Sequence, residues 1–241
     1  TSTQAAALTA TDITELSAEQ VGAFSGTLLA RLTTDAVGAL DATQVSEFNT
    51  TQLQSFTTTQ LGALTGADMA EFNETQLAGL TGTQVRALST TAVAALVETQ
   101  VAALTTTQVQ SLSTTSLSNL EATQVAAMTT TQIAALEAAD LAAITTANIT
   151  GLTTAQVAGM GTTQVSSLTT SQLVAMTTAQ IAAMETADVA AMGTTQVAAL
   201  TTAQVVGLGS TQISSMTTTQ LVAMTTAQIA AMQTADVAAL G

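Results

Sequence analysis

The groups in this chain that could do chemistry are few and regularly spaced. Its 241 residues hold sixteen carboxylates and two cations, Arg31 and Arg86, with no His, Cys, Lys, Tyr, Trp or Pro. Without imidazole or thiol there is no Ser/His/Asp triad, no thiol nucleophile, no zinc or haem ligation and no disulfide framework. A net charge of −14 offers no electrostatic footprint for nucleic acid or anionic lipid. No catalytic residue, cofactor or metal ligand is assigned, and an enzyme is not expected, because the carboxylates do not converge.

Five acids share one slot of a repeat: Asp12, Asp68, Asp140, Asp188 and Asp236. Carboxylates in a row could bind Ca²⁺ on a surface. Calcium takes six to eight oxygens, usually from acids close in sequence, and no D-x-D loop occurs. The simpler expectation is an acid near a helix start, where the helix dipole favours it. Glu121, Glu137 and Glu185 are read the same way. Rows of Thr could match an ice or carbohydrate lattice, but capping already accounts for the first Thr of each repeat. Eight of nine Met occupy a core slot, so they read as Leu replacements. Arg31 and Arg86 stand in small-residue slots as solvated exceptions. Gly161, Gly193, Gly209 and Gly241 fall at cap positions, where they are expected to be weaker caps.

These residues are ordered by a period of eight. From Gln4 the marker recurs through Asp12, Gln20 and Gln44 to Gln228 and Asp236 without insertion or deletion, in thirty registers. The consensus is T-T-x-Q-V-A-A-L, as in Thr129–Leu136. A 48-residue period overlies it in the C-terminal half and carries Asp140, Asp188 and Asp236 along. It reads either as duplication of a six-octad block or as a structural period of the spiral. Residues 1–241 are expected to form one continuous solenoid. With no initiator Met, the chain is expected to be a segment of a longer polypeptide.

Backbone geometry selects among the ways to fold an octad. A strand would send the two large apolar residues, three apart, to opposite faces. In one long helix, eight residues overshoot two turns by roughly 80°, so the apolar stripe would wind away from any partner. A chain of short helices satisfies every position. The T-x-x-Q run is a capping box, V-x-x-L puts two apolar groups on one face, and Ala lets neighbours approach. The expectation is an all-α superhelical solenoid of about thirty helices of roughly seven residues, separated by single bend residues. Where the cap slot holds Val97, Glu121, Glu137, Glu185 or Gln233, the cap is expected to shift by one. Glu137–Asp140 is the weakest of these.

Two large apolar side chains per eight ordered residues make a thin core, so the isolated spiral is expected to be marginal. Packing against identical chains would complete it. The longest apolar runs, near six residues as in Ala92–Val97, are far too short to span a membrane. The run T-T-x-Q-[VI]-A-A-[LM] resembles octapeptide tracts of very large secreted or surface adhesin-like proteins of Gram-negative bacteria, over the whole chain. The resemblance implies export and a structural or adhesive role, and it carries over no catalytic residues. The expected function is a structural module of an extracellular filament, stalk or surface layer. An adhesin stalk or Thr-array module contacting a glycan or ice surface is the alternative.

Overall fold

The computed structural model describes residues 2–240 of the chain. Among them are thirty short α-helices, one per octad, from Ser2–Ala5 to Thr234–Ala238. Each begins because the cap residue is extended and the next three are helical. Thr201, for example, sits at φ −69°, ψ 156° ahead of helix Thr202–Gly207.

Helix bodies are four to six residues long, shorter than the expected seven. The reason lies in the last apolar residue of the octad. Leu88 is itself extended (φ −58°, ψ 139°), and Leu104 and Leu112 behave alike. At these corners two residues, the closing Leu and the following cap, are extended, and not one bend residue. No residue takes positive φ among those described, so the corners need neither left-handed Gly nor Pro.

Contacts divide the chain into two compact units, Thr1–Leu120 and Glu121–Gly241. Within each, helices stack on the third helix along. In the N-terminal unit Gly82–Ala87 packs on both Thr58–Gly62 and Thr106–Ser111. In the C-terminal unit Thr186–Ala191 packs on Thr162–Ser167 and Ser210–Ser214. Hydrogen bonds between adjacent circuits join residues 25 to 31 apart. One circuit thus takes between three and four octads, and each helix overlies the corner between two helices beneath.

The core forms from the expected slots. The residue after the marker is buried almost throughout, as at Leu53, Val109, Ile133 and Val165, and so is the closing residue, as at Leu64, Met128 and Met184. Seven of the eight Met residues of the C-terminal unit lie in this core, in agreement with their reading as Leu replacements, and Met232 is half-buried. Phe48 and Phe56 meet edge to face at 5.7 Å between ring centres, an arrangement favoured by the ring quadrupoles. The marker itself is buried too: Gln44, Gln108, Gln172 and Gln204 are each at most 2% exposed. A buried primary amide must be hydrogen-bonded on both of its ends.

Candidate functional site: the glutamine staple

The repeated site is the corner, and Gln204 shows its geometry. The Thr201 N–H donates to Gln204 Oε1 at 2.9 Å, and the Gln204 N–H donates to Thr201 Oγ1 at 3.2 Å. This closes the capping box read from the sequence. The other end of the amide leaves the octad. Nε2 donates to the carbonyl oxygens of Leu173 at 2.7 Å and Met176 at 2.8 Å, in the circuit beneath. Those carbonyls belong to the end of a helix, where no intrahelical partner is available for the last of them. One side chain therefore starts its own helix and finishes another, 28 to 31 residues back.

The staple recurs wherever a marker Gln has a circuit of its own unit beneath it. In the N-terminal unit Gln44 reaches Ile13 and Leu16, and Gln108 reaches Leu77 and Leu80. In the C-terminal unit Gln164 reaches Ile133 and Leu136, and Gln228 reaches Val197 and Leu200. Sequence reasoning found the Oε1 half and missed the Nε2 half. The available signal was chemical. Ser, Asp or Glu could serve as acceptor at this helix position, yet twenty of the thirty octads hold Gln there, a common helix former that also donates.

The cap residue is the more dispensable partner. At Val97, Gly161, Gly193 and Gly209 there is no side-chain cap, but the backbone N–H still donates to the marker Oε1, at 2.7 to 3.1 Å. The glycines are thus caps with half of the box missing; Gly241 lies outside the described residues. Helices still start after Val97, Glu121, Glu137, Glu185 and Gln233. The expected one-residue shift does not occur, because the return bond from the marker holds the register at four of the five. The exception is Glu137, whose helix Ala138–Ala143 has neither a side-chain cap nor a capping box.

The acids at marker, cap and first-turn positions fall into helix-start roles. Asp12 accepts the Thr9 N–H at 2.8 Å and its hydroxyl, and these hydrogen bonds hold its carboxyl below the usual range. Asp68 accepts the Thr65 N–H at 2.6 Å, and Asp236 the Gln233 N–H at 3.0 Å. Asp41, as a cap, is lowered by the Thr43 hydroxyl and the Gln44 N–H. Glu74 is lowered chiefly by the Thr99 hydroxyl. Asp140 and Asp188 are buried. No group of three or more acids with metal-binding geometry occurs among the described residues. Arg31 and Arg86 are exposed. Three shallow clefts of about 360 to 540 Å³ lie along the stacked helices, and their linings include at most one carboxylate each, Glu74 in one and Glu137 in another. The Thr residues that follow the cap, such as Thr162, Thr163, Thr194 and Thr195, are exposed.

A spiral of capped, stapled octads defines a class: a helical repeat solenoid whose recurring chemistry is structural. A family model described as the ALTTAQ repeat matches residues 69–106, 77–114, 101–138, 133–170 and 181–218. These segments cover more than half of the chain, and the protein belongs to the ALTTAQ repeat family. No curated protein matches it.

Proposed function

We propose that this chain is a structural module of an extracellular filament, stalk or surface layer, built by association of identical spirals. The observation that carries the reading is the staple. It fixes each circuit on the one beneath through the repeat's own backbone, so any surface presenting a bare circuit is complementary to another circuit of the same sequence. The likeness to tracts of large exported Gram-negative surface proteins supports placement outside the cell. No helix among the described residues is long and apolar enough to cross a membrane. The module is not an enzyme on this reading; its partner is its own kind, and it needs no cofactor and no nucleic acid.

Sedimentation velocity over a hundredfold concentration range tests the proposal. Mass should rise with concentration, and helicity should fall on dilution. A monomer at every concentration with constant helicity overturns it. The exposed Thr rows favour a second reading, contact with a glycan or ice lattice. Thermal hysteresis or retention on a glycan surface would select it.

A further inference from the structure

Some markers have a circuit of their own unit beneath them yet carry no amide, and two of these have a substitute. At Ala92 the cap hydroxyl of Ser89 reaches the Leu64 carbonyl at 3.5 Å. At Asp236 the cap is Gln233, whose Nε2 reaches the Val206 carbonyl at 3.3 Å. Ser116 keeps a hydroxyl, paired with Ser113 at 2.8 Å, and Asp68 is only half-buried. Asp188 differs. It is 2% exposed, and its carboxylate accepts the Glu185 N–H at 3.3 Å. Its cap, Glu185, has no side-chain cap bond and no donor to offer. The register places the Val157 and Met160 carbonyls beneath it, 31 and 28 residues back, where every neighbouring staple has an N–H. No side chain among the described residues donates to either.

We propose that Asp188 is a proton-operated staple: its neutral carboxyl supplies, through a bridging water, the donor that Gln supplies elsewhere, and its ionised form sets a charge against two carbonyl oxygens. The water is required because Asp is one methylene shorter than Glu or Gln. The helix Thr186–Ala191 packs on Thr162–Ser167 and Ser210–Ser214, and neither holds a titratable group. Thr154–Ala158, which carries Val157, holds none either. Glu185, of like sign, is the one charged group facing the site. Burial pushes the Asp188 carboxyl above its ordinary range; the Glu185 N–H opposes the rise, and the Glu185 charge adds to it. An acid raised on folding contributes stability that is complete below its unfolded pKa and lost as pH rises through the folded value. The site therefore closes as pH falls below the folded value and loosens locally as pH rises above it.

Hydrogen exchange of the whole chain from pH 4 to 7.5, corrected for intrinsic rates, reads this directly at residues 185–192. The wild type should gain about tenfold in protection for each pH unit between its folded and unfolded pKa values. Asp188→Gln, which supplies the usual residue of this chain's own octads, should be protected at every pH, with that dependence gone. Carbonyl ¹³C titration of Asp188 should give a midpoint above that of an ordinary aspartate. The proposal is overturned if Asp188→Gln keeps the wild-type pH dependence, or if Asp188 titrates at or below its ordinary value. It is also overturned if Ca²⁺ at neutral pH protects the wild type but not Asp188→Gln, since the site would then be a cation site.

Discussion

At Gln204 a single amide makes three hydrogen bonds of two kinds, and substitutions can separate them. Thr201→Ala removes only the hydroxyl half of the cap and should cost about 1 kcal/mol. Gln204→Ala leaves the buried Met176 carbonyl without its partner, at about 1–3 kcal/mol, and also frees the part-buried Thr201 N–H. Urea midpoints should therefore fall clearly further for Gln204→Ala; equal losses would mean that the inter-circuit bonds contribute nothing. Gln204→Glu keeps the acceptor and deletes the donor. Its buried carboxyl should titrate above the usual range, so this variant should be weakest at neutral pH and recover as pH falls. Close approach between circuits gives a different residue-scale test. A Cβ on Gly151 would collide with the Ala122 backbone, so Gly151→Ala should lower stability by about 1–3 kcal/mol. Gly161 has nothing within 4 Å of such an atom; Gly161→Ser adds a cap hydroxyl and should gain a few tenths of a kcal/mol.

At the scale of the element, much was legible because its determinants are local. Thr57 and Gln60, three residues apart, specify a helix start, and Leu61 and Leu64 specify its buried face. What stayed hidden depends on distant residues. The closing Leu88 is extended because the chain must turn a corner there, which no propensity within the octad reveals. The second bonding end of Gln108 is invisible locally because Leu77 and Leu80 lie in another circuit. The consequence is measurable in peptides. Helices of this length are unstable alone, and a staple needs partners at least 28 residues apart. Residues 169–192 hold no such pair, while residues 169–216 hold the Gln204 and Gln212 staples. Circular dichroism should show little helix in the shorter peptide and a disproportionate rise per residue in the longer. Proportional helicity in the two would argue that the staples are incidental.

At the scale of the molecule, some octads compensate their own exceptions from within. Where Asp236 lacks an amide, the compensating Gln233 is in the same octad; where Ala92 lacks one, so is Ser89. The partners beneath are backbone carbonyls, which every residue supplies whatever its side chain. An octad can therefore be lost, gained or transposed as a sealed parcel of eight residues, and the circuits above re-engage with whichever parcel now lies below. Length changes in multiples of eight should be nearly silent for folding, whereas a change of one to seven residues would throw every later amide out of step. Such a chain can change its reach over generations by slippage of whole units, without ever relearning how to fold.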